Sequence, residues 1–388
     1  AVMLTISVFA QSFKEAQNYL TPVYLLVIIP VILSGLPGID LTTKSALVPV
    51  LNVALLMKEL LVEAPSKDLI IIVLIANCLY SVISLLIAVR VFQSEEILLG
   101  GDKNWREIFR IKKNGMQLPS LEMGISFFAL GLIFYFYIGS MLQKPSNLIE
   151  GVVLSQYLLL LAPAIILAIL FKYNKRETFS LKTPGALQTV AVFMMGLSSW
   201  IVLSFVASIV QGYILKEPPI ISEMMNQALG LTSDKYPLLV ILFAFAVTPA
   251  ICEEIFFRGM IMSGLRQRLP KWYAIGLTAI FFGIFHVSIY KIVPTAIIGL
   301  VVTWIVWETG SIFAGMLFHF MHNALGLLVM KLNWFPELMV EDKMNWAQFS
   351  GFVVLFIAGL VLFIYATRKK AEAVLPDSAE IPENSQEA

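Results

Sequence analysis

Charge is scarce in this chain. Of its 388 residues only 14% are Asp, Glu, Lys or Arg, and 59% are hydrophobic; a soluble globular domain carries about 25% charged residues. That shortage excludes an ordinary water-soluble globule and points to a polytopic membrane protein. The net charge is only +1, so nothing in the balance calls for nucleic acid as a partner. Cysteine is nearly absent too. Cys78 and Cys252 lie far apart in apolar runs, which excludes a disulfide framework or a cysteine-rich metal site. No Gly-x-x-x-x-Gly-Lys-Ser/Thr loop occurs, so any nucleotide hydrolysis would belong to a separate chain. The chain opens on Ala1 inside an apolar stretch without a basic flank, unlike a signal peptide, and we read the N-terminus as truncated.

What the chain has in abundance is apolar runs of about 20 residues, the length that crosses a hydrocarbon core. They fall at 19–36, 69–92, 121–142, 151–172, 187–211, 237–264, 272–290, 293–309, 310–332 and 346–367. The expected fold is therefore all-α, a transmembrane helical bundle of about ten spans with a partial span at 1–10. Ala46–Leu61 is apolar but interrupted by Pro49, Asn52, Lys58 and Glu59, which suits a surface-lying or re-entrant segment better than a span. From Arg90 onward, sixteen Lys and Arg residues fall in four alternate loops against six in the intervening ones. By the positive-inside rule the former are cytoplasmic, as are the Ser12–Gln17 turn and the C-terminus.

The three histidines of the chain, His286, His319 and His322, all lie within apolar spans. Ionisable groups at that depth are disfavoured by roughly 2.5–3.5 kcal/mol each, so each is a functional candidate. Span 237–264 adds Glu253, Glu254 and Arg258. Helical spacing puts Glu254 and Arg258 on one face as an i, i+4 pair, with Glu253 turned about 100° away and left free. His319 and Asn323 are spaced the same way. Counted from the cytoplasmic ends at 1.5 Å per residue, Glu253, His286, His319 and Asn323 fall within roughly 9 Å of one level, so three spans can share one site. The bland alternative is an ion-pair network for helix packing, but that does not call for the histidines at matching depth. His322 reads as a helix-bridging core residue, and the Phe256-Phe257 and Phe281-Phe282 clusters as packing or lipid-facing groups.

Glu253-Glu254-x-x-x-Arg258, Phe282-x-x-x-His286 and His319-x-x-x-Asn323 resemble, in order, the three motifs of the CPBP family of CAAX-processing and bacteriocin-processing enzymes, also called the ABI or Rce1-like intramembrane proteases. The resemblance is strong over about 235–330. It implies an endopeptidase in which Glu253 activates water, His286 helps hold it, and His319 with Asn323 stabilises the oxyanion, while Glu254, Arg258 and Phe282 support the site. The family is often described as a metalloprotease. A zinc ion held by Glu253, His286 and His319 is thus one possibility, but His-x-x-x-Asn lacks the second histidine of a His-Glu-x-x-His zinc helix, which favours a metal-independent glutamate mechanism. The substrate would be a membrane-associated peptide or protein.

A second resemblance lies upstream. Ser12–Gln17, Leu36-Pro37-Gly38-Ile39 and Pro49–Leu60 are similar to the end of a NatB-type ABC-2 permease, a sodium-export subunit, which implies a separate ABC ATPase as partner. The expected organisation is a truncated permease portion at 1–112, a peptidase domain at 113–370 with its motif core at 235–330, and a disordered tail at 371–388. The polar stretch 93–116 marks the boundary, and the first portion should supply no catalytic group. Two other functions stay open: an ABC-type exporter subunit with the protease-like half as scaffold, and a pseudoprotease conferring bacteriocin immunity. An integral protein of the bacterial plasma membrane is expected in every case.

Overall fold

The computed structural model describes residues 2–7, 13–36, 38–62, 65–92, 118–144, 147–214, 236–332, 334 and 345–372. Among these the chain is helical throughout, apart from short turns and one isolated bridge between Leu181 and Ser311. The main helices are α1 (Phe13–Ser34), α2 (Leu51–Val62), α3 (Lys67–Phe92), α4 (Leu121–Phe134), α5 (Leu148–Leu170), α6 (Ala186–Ile214), α7 (Leu238–Leu265), α8 (Lys271–Phe285), α9 (Ile289–Thr309), α10 (Ile312–Leu332) and α11 (Trp346–Glu372). Eight of them are long and apolar enough to cross a membrane. A membrane offers the backbone no water to bond, so helix is the form such runs must take.

The remaining two of the ten expected spans are α4 and α8, which are shorter. Helix α4 is prolonged by a π-turn, Tyr135–Gly139, and a last α-turn, Ser140–Leu142, and so reaches the expected length. Helix α8 does not: it stops at Phe285, and α9 begins at Ile289 instead of 293. Other boundaries also differ. The expected turn at Ser12–Gln17 is, from Phe13 onward, the start of α1. The last helix runs to Glu372, two residues into the expected tail. The twelve residues of α2 cover only about 18 Å, as suits a segment that does not span. Of the expected partial span, Val2–Ser7 is helical. The boundary region 93–116 lies outside the described residues, as does the tail beyond Glu372.

Helix α7 runs through the centre, bordered by α4, α5, α8 and α10, while α6 packs on α10 and α11, and α8 pairs with α9 as a hairpin. Small residues let α4 and α7 meet closely: a Cβ at Gly264 would sit 2.5 Å from Ser120 O and 3.0 Å from Gly124 Cα. Lys271 of α8 pairs with Glu308 of α9, and Trp304 Nε1 donates to the same carboxylate at 3.0 Å, which ties the open end of the hairpin. Gly310, at φ +64°, makes the left-handed turn into α10, a conformation glycine adopts without steric cost.

Candidate active site

Two prolines shape the helices around the site. Pro163 in α5 and Pro249 in α7 follow directly on π-turns, Gln156–Leu161 and Phe243–Val247. Proline has no N–H for the carbonyl four residues earlier and its ring crowds that carbonyl, so the turn before it widens. For Pro249 the carbonyl concerned belongs to Phe245. Asn323 Nδ2 donates to that oxygen at 3.1 Å, so α10 satisfies the group that α7 cannot.

The glutamate pair divides as the helical spacing predicts. Glu254 and Arg258 are fully buried, and Arg258 Nη1 donates to Glu254 Oε1 at 2.8 Å. The other donors of Arg258 reach Thr303 Oγ1 at 3.1 Å and Gly299 O at 3.0 Å, and its guanidinium lies 4.6 Å from the centre of the Phe282 ring. The remaining donors of this buried pair are thus satisfied by α9, as such a pair requires, whereas Glu254 Oε2 is buried with no hydrogen-bond partner among the described residues.

His319 joins the two glutamates. Its Nδ1 lies 2.8 Å from Glu254 Oε1, and its Nε2 is 4.0 Å from Glu253 Oε2. Because the Glu254 oxygen already accepts from Arg258, the His319 nitrogen facing it is the donor. His286 caps α8, with Nδ1 2.9 Å from Phe282 O. A carbonyl only accepts, so Nδ1 carries the proton and Nε2 offers a lone pair. The Phe282 ring stands between the two histidines, 5.2 Å from one ring and 5.8 Å from the other, near-perpendicular to His319. The fold thus gathers Glu253, Glu254, Arg258, Phe282, His286 and His319, with Asn323 one turn beyond His319 on the Phe245 carbonyl.

Glu253 is not the free carboxylate that spacing implies. Gln156 Nε2 donates to its Oε1 at 2.7 Å. Gln156 escapes a reading of the sequence confined to ionisable groups; its signal is an uncharged amide inside the apolar run 151–172. His322 faces elsewhere, bonded through Nδ1 to Ser199 Oγ at 3.0 Å and stacked on Phe318, the helix-bridging place expected for it. Phe256, Phe257 and Phe282 are buried packing groups, as is Cys252.

The zinc arrangement does not fit these side chains. Among the described residues no group of three or more His, Cys, Asp and Glu is gathered to hold a metal. With His319 Nδ1 held by Glu254, His286 Nδ1 by Phe282 O and Glu253 Oε1 by Gln156, the atoms left to ligate are His286 Nε2, His319 Nε2 and Glu253 Oε2. Of these, His319 Nε2 and Glu253 Oε2 stand 4.0 Å apart, wider than the roughly 3.4 Å between two ligands of a tetrahedral zinc.

Comparison with known proteins gives one finding. Residues 235–325 match the family model described as type II CAAX prenyl endopeptidase Rce1-like. No curated protein and no solved structure matches the chain. The matched stretch runs through α7 to α10 and contains all three motifs. Over residues 235–325 this integral membrane protein is thus similar to the Rce1-like family, which at family level is a family of intramembrane peptidases.

Proposed function

We propose that this chain is an intramembrane endopeptidase of the CAAX-protease type that uses Glu253 as general base on a membrane-associated peptide or protein. The observation that supports it most directly is the unequal environment of two adjacent carboxylates. Glu254 is locked through Oε1 to Arg258 and His319 and its unbonded Oε2 is sealed in the core, whereas Glu253 Oε2 lies outside any hydrogen bond among the described residues and faces His319 Nε2 at 4.0 Å. That separation is too long for a direct bond, so both atoms remain available to reacting groups.

In this reading the oxygen of a water molecule bonds to the substrate carbonyl carbon while one of its protons passes to Glu253 Oε2. His286 Nε2, unprotonated because Nδ1 carries the hydrogen, accepts the other O–H. Charge develops on the carbonyl oxygen and is met by His319 Nε2–H and by the second N–H of the Asn323 amide. Since His319 Nδ1 already donates to Glu254, this role requires the imidazolium form. When the intermediate collapses, the C–N bond breaks and the proton on Glu253 moves to the leaving amine. The products are a carboxylic acid and an amine, and no metal takes part.

Residues 1–112 would be a permease-like segment fused to the peptidase, with any ATPase supplied by another chain. The Lys and Arg distribution supports a C-terminus on the cytoplasmic face of a bacterial plasma membrane. The test is cleavage by the purified chain in liposomes, using internally quenched farnesylated CAAX peptides and unprenylated membrane peptides. We expect at least one to be cut, and Glu253→Gln to abolish the cut. A folded wild-type protein that cleaves none of them would refute the reading and favour the exporter or immunity alternatives.

A further inference from the structure

The bond between Gln156 and Glu253 joins residues 97 positions apart, and Gln156 is buried with 3% of its surface exposed. Its amide oxygen Oε1 has no hydrogen-bond partner among the described residues. For packing alone this is a poor choice, because methionine would fill a similar volume without an orphaned acceptor in an apolar core. The neighbourhood is also organised. Gln156 and Tyr135 each open a π-turn, on α5 and on α4, a feature frequent at functional sites. Gln143 Nε2 donates to Ser155 Oγ at 2.8 Å and to Tyr135 Oη at 3.3 Å. Tyr135 in turn interacts with Gln156 and lies within electrostatic reach of Glu253. Two helices that carry none of the family motifs thereby converge on the base with uncharged hydrogen-bonding groups.

We infer that Gln156 is a positioning residue for the hydrolysis. Its N–H pins Glu253 Oε1, so that Oε2 is the oxygen presented to water on the side of His319. A carboxylate on a flexible side chain otherwise rotates between equivalent oxygens, and a general base works only within hydrogen-bond reach of the proton it takes. Tyr135, Gln143 and Ser155 support the amide from behind. This inference rests on the assignment of Glu253 as base.

The test compares Gln156→Met, which keeps length and removes the donor, with Gln156→Asn, which keeps an amide but cannot reach. Both are assayed on whichever quenched peptide the wild type cuts, beside Glu253→Gln. A hydrogen bond to a charged group is worth about 10- to 100-fold in rate. We expect a kcat loss of that size in both variants, with KM within about twofold and, for Gln156→Met, a thermal midpoint at or above the wild-type value. A role confined to packing would lower the midpoint and leave kcat alone. Wild-type kcat in both variants, with Glu253→Gln inactive, overturns the inference and leaves the proposed function standing; full activity of Glu253→Gln overturns both. Should no peptide be cut, a double-mutant cycle in thermal unfolding between Gln156→Met and Glu253→Met, which removes the acceptor, decides. Coupling between the two supports the bond, and additivity overturns it.

Discussion

Replacing each glutamate of the pair by glutamine removes the same charge and leaves nearly the same shape, yet the two substitutions should have different effects. In Glu254→Gln the Arg258 guanidinium, fully buried, loses the carboxylate it is bonded to and keeps Thr303 and Gly299 as neutral partners. Breaking such a pair costs about 3–5 kcal/mol because one charge stays buried and uncompensated. His319 loses its charged anchor at the same stroke. On the order of 5–10 °C in thermal midpoint should go with it, together with activity. Glu253→Gln is different. A glutamine there still presents an oxygen to the Gln156 amide, and Arg258 and His319 both keep their direct bonds to Glu254, so the change in stability should stay within about 1 kcal/mol. Turnover should nevertheless fall by roughly 100- to 10,000-fold, the usual contribution of a general base. The assay pairs detergent melts with peptide cleavage on the same preparations. Equal losses of stability in the two variants would refute the division of roles and return both residues to one structural network, and undiminished turnover by Glu253→Gln would remove the base.

Asn323→Ala should lower kcat by about 100-fold or more through the lost oxyanion donor; it should also soften α7 at the uncapped Phe245 carbonyl, seen as faster hydrogen exchange around Pro249. A drop in stability without a drop in kcat would make Asn323 a purely structural cap. Zinc chelators should leave cleavage unchanged after prolonged incubation, and loss of activity restored by added zinc would count against the metal-independent route. A chain cut near Met116 keeps every proposed catalytic group but loses Leu47, Ile72 and Ile75 from the apolar wall they share with Leu132, Phe136 and Val287. Its turnover should fall severalfold with the fold retained, and unchanged turnover would show that the wall is dispensable.

Much of this arrangement is legible in the sequence because a bilayer leaves few options. Apolar runs of the right length become helices, and i, i+4 spacing pairs Glu254 with Arg258 without reference to any neighbour. What escapes is whatever depends on a second helix. Nothing local says that Gln156 bonds to Glu253, or that His319 turns one nitrogen to Glu254. The break after Phe285 is equally hidden, since Phe285-His286-Val287-Ser288 contains neither proline nor glycine and its hydropathy continues into α9. It is visible only in the backbone, where Val287 takes φ +46°, a conformation disfavoured for a β-branched residue. The reverse error occurs at Ser12–Gln17, where polar residues suggest a turn and most of them start α1.

That early stop has a consequence for how water arrives. Fifteen residues of α8 measure about 22 Å, short of a hydrocarbon core about 30 Å thick. Helix α8 is therefore too short to cross by itself, and a mismatch of this kind is met by local thinning or by polar cover. A recess beside its end is lined by Thr42, Thr43, Ser66 and Asp68, by Leu69 and Ile72, and by Val287, Ser288 and Tyr290. His286 precedes Val287 in the chain. If the proposed hydrolysis holds, its second substrate is water, and this recess next to His286, with Thr42, Ser66 and Asp68 among its lining, is the opening from which water would be drawn.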